Sequence, residues 1–298
     1  MLKKNAIKRI LTSTLALGIM FLLCLFPQNS QNKITKELVY VDEITIPIYA
    51  IDHNNYVSRT NLIKSDDDQI AYIIDALTKN SKTSNYLQPG FTPIIPEKTK
   101  LVDYNIENNI LSLNFSKEFL NIKKENENQL LESLIYSLTE LENIDKISIY
   151  VENENLLKMP SGQIIDKYLD KSFGINKSYN FNNIKSLTKT TIYYIGKYED
   201  NTYYIPITKI TNDTIEPVEI IVKELKTTPI YETNLISYLN ASYELKDYEI
   251  LEDSINLSFN NKMIANLDDQ DINEKVKYTL SLSLRDTYNI SDITININ

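Results

Sequence analysis

Apolar residues return along this chain with two periods, and the succession of periods occurs twice. Leu111, Leu113 and Phe115 alternate with polar residues as the inward positions of a half-buried strand do, and Ile255, Leu257 and Phe259 repeat them 144 positions later. The strand before each turn matches too, with Asp103-Tyr104 against Asp247-Tyr248. Upstream, Ile70, Ile73, Ile74 and Leu77 mark the stripe of an amphipathic helix, which Val218, Ile221, Val222 and Leu225 reproduce. Downstream, "LIYSLTELENIDKISI" from Leu134 aligns without a gap with "LSLSLRDTYNISDITI" from Leu280. Each predicts a second helix ending near an asparagine, Asn143 or Asn289. A strand follows, with Ile147, Ile149 and Val151 or Ile293, Ile295 and Ile297 inward. The register pairs Phe115 with Phe259 and Ile74 with Val222, and all four are expected in the core.

Before the first helix of each copy, "ITIPIYAI" and "YYIPITKI" set Pro47 and Pro206 in alternating apolar runs. Proline cannot donate to a ladder, so these strands are expected at a sheet edge or paired on one side there. Each copy thus reads β-β-α-β-β-α-β, a mixed β-sheet with two helices covering one face. The fold class is α+β, with two tandem two-layer domains at residues 37–159 and 190–298. Residues 160–189 between them lack a clean period and read as a linker.

The N-terminus departs from this pattern. Lys3, Lys4, Lys8 and Arg9 precede Ile10 to Pro27, an almost uncharged stretch that as a helix would be roughly 27 Å long. That length spans a bilayer's hydrocarbon core. Residues 1–9 are read as a cytoplasmic basic segment, 10–27 as a transmembrane signal anchor and 28–36 as a polar stalk. The cations on the N-terminal side place the remaining chain outside the cell membrane, as a single-pass protein. "FPQNSQNK" offers no small-residue cleavage site, which favours a retained anchor. A lipoprotein attached through Cys24 is the alternative, against which Phe21, Leu22 and Leu23 stand where a lipid-attachment box has small residues.

The chain has 31 basic and 40 acidic residues. Without its four N-terminal cations it carries about −13. Such a field argues against binding nucleic acid or anionic lipid through overall charge. Cys24 is the one cysteine, so neither a disulfide nor a thiolate metal site is expected outside the anchor.

Candidate chemistry is sparse. His53 is the single histidine, in "DHNN" after a strand, and reads as a solvated turn residue. Asp66, Asp67 and Asp68 could suit a hard cation, but they open a helix, where acidic side chains cap free N–H groups. The other acidic cluster, Asp268 to Asp271, precedes the second helix of its copy, and helix-start electrostatics accounts for both. Ser161 in "PSG" lacks the glycine framing of a nucleophile elbow. Tyr193-Tyr194 and Tyr203-Tyr204 flank a predicted hairpin, with one ring of each pair expected in the core and one outside, available to a binding surface. No catalytic, cofactor-binding or metal residue is assigned, and no cofactor is expected.

The order of proline-bearing strand, helix, "IIPEKTKLVDYNIENNILSLNFSKEFL", helix "LLESLIYSLTELENI" and strand "KISIYVENE" resembles the GerMN domain of sporulation and spore-germination proteins. The first copy follows the pattern closely, with Lys98 where the family often has glycine. The second diverges more, carrying "YLNASYEL" in place of "IIPEKTKL". The resemblance implies a sporulation or germination role for a chain with two tandem copies. Combined with the topology, it points to a non-catalytic, membrane-anchored scaffold outside the cytoplasm, as in the intermembrane space of a developing spore. Its expected partners are other exported envelope or sporulation proteins. Two other readings stay open: an extracytoplasmic binding module for a cell-wall fragment or small ligand, and an envelope hydrolase using paired carboxylates.

Overall fold

The computed structural model describes residues 45–65, 68–212, 214–227, 234–260, 264–266, 271–272, 274–290 and 292–297, which fall in one compact unit. The basic segment, anchor and stalk expected over residues 1–36 lie outside the described residues. Among those described, no helix is long and apolar enough to cross a membrane.

The first copy contains β1 (Thr45–Asp52), β2 (Val57–Ile63), α1 (Gln69–Leu77), β3 (Phe91–Thr92), β4 (Leu101–Glu107), β5 (Ile110–Phe115), α2 (Glu127–Leu138), β6 (Lys146–Val151) and β7 (Glu154–Asn155). The connecting stretch contributes β8 (Ser178–Asn180). The second copy contains β9 (Thr188–Tyr198), β10 (Asn201–Thr211), α3 (Pro217–Lys226), β11 (Leu245–Ile250), β12 (Ser254–Phe259), β13 (Ile264–Asn266), β14 (Asp271–Ile272), α4 (Glu274–Tyr288) and β15 (Asp292–Ile297). The expected β-β-α-β-β-α-β order is present in both, with short strands added.

The repeat register holds to the residue. Leu101 pairs with Phe115 and Leu245 with Phe259, and each ladder has its bulge just after that pair, before Asp103 and Asp247. β5 then runs parallel to β6 and β12 to β15, with Leu113 opposite Ile149 and Leu257 opposite Ile295. Phe115, Phe259, Ile74 and Val222 are all buried. Both second helices end at an asparagine with positive φ, Asn143 at 64° and Asn289 at 57°, the left-handed turn that terminates a helix. Lys98 also has positive φ, 68°, a conformation that glycine adopts more readily.

One expectation needs correction: the strands of a copy do not share one mixed sheet, those of the first copy being divided between two sheets and the described ones of the second among three. The β1–β2 hairpin is separate from β4-β5-β6-β7, as β9–β10 is from β11-β12-β15. The reason lies at the hairpin edges. β2 meets β10 antiparallel at Arg59 and Tyr204, so the hairpins of both copies join in one sheet in the order β1-β2-β10-β9, an approximately two-fold arrangement in which Arg59, opposite Tyr49, corresponds to Pro206, opposite Tyr193. The outer edges of β1 and β9 are occupied by helix hydroxyls: Tyr49 N–H donates to Ser137 Oγ at 2.8 Å, and Tyr193 N–H to Ser283 Oγ at 2.9 Å. The outer edge of β1 also pairs with the short β3 at Ile51 and Asp52 and that of β9 bridges Ile236, so among the described residues neither outer edge takes a further long strand.

Pro47 and Pro206 are not equivalent either, because Pro47 lies on β1 and Pro206 on β10, opposite strands of their hairpins. The counterpart of Pro47, 144 positions on, is Thr191, whose N–H donates to Thr287 Oγ1 at 3.0 Å. The sequence position matching Thr287 in the first copy is Leu141, in the turn after α2, and it carries no hydroxyl to accept an N–H. Both prolines do pair on one side, Pro47 with Asn61 and Pro206 with Tyr193. Beside Pro206 the connecting stretch takes over. Asn176 Nδ2 donates to the carbonyls of Val57 (2.8 Å) and Pro206 (2.7 Å), while its Oδ1 accepts from Val57 N–H (3.0 Å). One side-chain amide thus bridges β2 and β10 where backbone pairing stops.

Candidate functional site

The two-fold relation brings equivalent residues of both copies together. Tyr49 and Tyr193 are fully buried, and their hydroxyls lie 2.8 Å apart. Tyr193 also donates to Asp286, an acceptor when ionised, so Tyr49 must donate to Tyr193. Burial, and then the negative charge of Glu140 and Asp286, push the Tyr49 phenol well above its ordinary range; burial and Asp286 do the same to Tyr193.

Glu140 and Asp286 occupy matching positions at the ends of the second helices. Both are reached by Lys171 Nζ of the connecting stretch, at 2.7 Å from Glu140 and 2.8 Å from Asp286. Arg285 joins them as well, Nη2 to Glu140 at 2.5 Å and Nε to Asp286 at 3.1 Å. Arg59 Nη2 stands 3.9 Å from Glu140, with its guanidinium 5.6 Å from the centre of the Tyr278 ring. The carboxylate side chains are 5% and 1% exposed, so water screens these charges little. Burial alone would raise the Asp286 carboxyl, but Lys171 and Arg285 outweigh it and hold it below the ordinary carboxylate range.

This seam forms one wall of a cleft of about 690 Å³. Its rim carries Lys146, 3.5 Å from Asp170, and Lys189, whose Nζ donates to the Ser172 carbonyl at 2.6 Å. Four carboxylates line the cleft, Glu140, Asp145, Asp170 and Asp286, and Lys171 draws Glu140 and Asp286 together, the arrangement a carboxylate hydrolase would need. Glu140 and Asp286 are tied into ion pairs, however, and Asp286 is held ionised, the reverse of the raised carboxyl that serves as a general acid.

The residues singled out in the sequence lie elsewhere. His53 is exposed in the β1–β2 turn, with Nδ1 3.2 Å from Tyr203 Oη and its ring 4.8 Å from that of Tyr198. Asp68 caps α1, its Oδ1 accepting from Ile70 N–H (3.1 Å) and Ala71 N–H (3.2 Å), while Oδ2 accepts from Tyr104. Asp66, Asp67, Asp268 and Asp269 lie outside the described residues. Ser161 sits in a turn before Gly162 (φ 97°), with its N–H on Glu127 Oε1 at 2.8 Å. Among the described residues, no group of three or more His, Cys, Asp or Glu could hold a metal ion.

The tyrosine expectation is corrected. Tyr193, Tyr194 and Tyr203 are all buried, and Tyr204 is half-buried against the Tyr278 ring at 4.8 Å. Neighbouring strand residues point to opposite faces, and here both faces are covered because the joined hairpins lie inside the molecule. The seam itself escaped the sequence reading. Its one available signal was a carboxylate at the C-terminal end of both second helices, where the helix dipole disfavours anions.

Residues 39–157 match the family profile Germane, described as sporulation and spore germination. The chain is 26% identical over 259 residues to the spore germination protein GerM of Bacillus subtilis, covering 84% of this chain and 70% of that protein. The solved tandem GerMN domains of the sporulation protein GerM from Bacillus subtilis superimpose with a TM-score of 0.76 at 24% identity, over 86% of this chain and 91% of that one. That likeness bears on the fold. The profile places a Germane domain, described as sporulation and spore germination, over the first copy, and over most of its length the chain is similar to the spore germination protein GerM.

Proposed function

We propose that the chain is a non-catalytic, membrane-anchored scaffold outside the cytoplasm, presenting two GerMN domains to other exported envelope proteins during sporulation or germination. The observation that carries this reading is the seam. Glu140 and Asp286 are engaged by Lys171 and Arg285, which fastens the copies to each other and leaves those carboxylates poorly placed for proton transfer. Two docking surfaces held at a fixed spacing on one tether raise the effective concentration for a partner touching both.

Crosslinking and co-purification of the full-length chain from sporulating and vegetative cells tests this reading. The expected result is capture of exported proteins through both copies in sporulating cells, weakened by deleting residues 190–298. Full binding and full spore formation by the first copy alone would overturn the two-surface mechanism. A second reading, a small-ligand module, is favoured by the cleft's volume and its mixed lining of hydroxyls and charges. Saturable binding of a cell-wall fragment, lost in Lys146→Ala with Lys189→Ala, would replace the scaffold reading.

A further inference from the structure

The connecting stretch carries a surface that the seam does not use. From Lys171 to Tyr198 the sequence has five lysines and neither Asp nor Glu, within a chain of net charge −9. Lys171 belongs to the seam, and Lys177 lies 3.6 Å from Glu132 and 3.5 Å from the centre of the Phe173 ring. Lys185 and Lys189 are exposed; Lys189 lies at the start of β9 on the cleft rim and gives one of its three ammonium donors to the Ser172 carbonyl, at 2.6 Å. Between and beside them the same stretch exposes Tyr179 by 65%, Ile184 by 82% and Leu187 by 40%. Asn183 Oδ1 accepts from Lys185 N–H at 2.9 Å and Ser186 has φ 53°, so a tight turn places Ile184 and Lys185 at its tip. β8 fixes the base of that turn by pairing in parallel with β10, Ser178 with Lys209 through Asn180 with Thr211. The nearby ion pair of Lys209 and Glu224, at 2.5 Å, adds no net charge.

We propose that this basic, apolar tip seats on an anionic lipid surface and so orients the paired copies against the membrane. The inference rests on the membrane-anchored reading above. Ile184 and Leu187 suit the boundary between head groups and acyl chains, Tyr179 the head-group layer, and the two lysine ammonium groups the lipid phosphates. The chain's overall negative charge does not oppose this, because exposed charges are screened over about 8 Å at physiological salt. An acidic protein would satisfy the lysines, but an isoleucine projecting from a narrow turn would need a matching pocket there, whereas lipid deforms around it. Two lysines are too few to hold a free protein on a membrane. On a tethered chain the contact is intramolecular and needs no more.

The test uses the full-length chain with Cys24→Ser and Asn182→Cys, labelled at the new thiol with an environment-sensitive fluorophore. Vesicles are phosphatidylcholine alone or phosphatidylcholine with phosphatidylglycerol. Flotation reports the anchor, and emission reports the tip. The chain is expected to float with both vesicles, with a blue shift on the anionic ones only. Lys185→Ala with Lys189→Ala should lower the ratio of seated to free tip roughly 30-fold. Ile184→Ser should weaken the shift while the melting midpoint stays unchanged, which separates seating from folding. Flotation with both vesicles and identical emission would overturn the tip contact and leave the anchor standing. Flotation with anionic vesicles alone would overturn the anchor and, with it, the tip contact as argued, since two lysines do not hold an untethered chain on a membrane. Flotation with neither would overturn both, and a shift produced by soluble polyglutamate instead of lipid would assign the tip to an acidic protein and overturn the lipid contact.

Discussion

The two copies deliver the same anions to the seam by the same route but neutralise them by different ones. Glu140 and Asp286 come from matching helix ends, and Tyr49 and Tyr193 from matching strands. The cations have no such symmetry. Arg59 lies on β2, Lys171 on the connecting stretch, and Arg285 stands where the first copy has Thr139. Two like charges brought together by a two-fold repel in a poorly solvated site. Cations from non-equivalent positions resolve the conflict, and a duplicated unit becomes an asymmetric pair.

The comparison is broken most severely by removing one anion. Asp286→Asn leaves Lys171 and Arg285 with a single carboxylate in a buried site and is expected to cost about 3–5 kcal/mol of unfolding free energy. Glu140→Gln should cost less, since Asp286 is the more deeply buried and alone accepts from Tyr193. Urea titration of both variants checks the order; equal losses would mean that the copies contribute symmetrically after all.

The same difference can be sharpened with pH. The Asp286 carboxyl is depressed in the fold, so its contribution is present above the unfolded carboxylate value of about 4 and is lost as pH falls through the lower folded value. Unfolding free energy measured on acidification should therefore decline more steeply in the native chain than in Asp286→Asn. The phenols behave oppositely. Tyr49, Tyr136 and Tyr193 are raised in the fold, so stability is expected to fall as pH rises above about 10, the ordinary tyrosine value.

What could be read in the sequence follows from how local each feature is. The helix stops at Asn143 and Asn289 and the alternating strands ending at Phe115 and Phe259 were legible because each is a pattern of neighbouring residues; the bulges in their ladders were not. Pro47 was read correctly as paired on one side, yet aligned with Pro206 on the wrong strand. Both strands of a hairpin alternate with period two, so alternation alone cannot say which strand is which. The seam was illegible for another reason. Arg59, Glu140, Lys171 and Arg285 are spread along the chain, and each alone looks like an ordinary surface charge.

The helix hydroxyl beside the edge strand offers a milder test of the asymmetry. In the second copy Thr287 Oγ1 accepts from Thr191 N–H at 3.0 Å and donates to Thr191 C=O at 3.1 Å. Thr287→Val keeps the shape and strands both backbone groups, so a loss of about 1–3 kcal/mol is expected in thermal or urea unfolding.

The smallest effect, and the sharpest comparison, comes from giving the first copy the second copy's solution. Pro47→Thr introduces an N–H at the counterpart of Thr191, while Leu141, the counterpart of Thr287, has no hydroxyl to accept it; the change also frees a backbone that proline had restrained in the unfolded chain. Pro47 is only half-buried, so the single change should cost about 1 kcal/mol, the low end for an unsatisfied donor. Pro47→Thr with Leu141→Thr supplies the acceptor and should recover most of that loss, whereas Leu141→Thr alone should not stabilise. The coupling between the two positions is therefore the quantity to measure, by a double-mutant cycle in urea. A coupling near zero would mean that Pro47 and Thr191 are not equivalent edge positions, and the symmetry of the two hairpins would have to be redrawn.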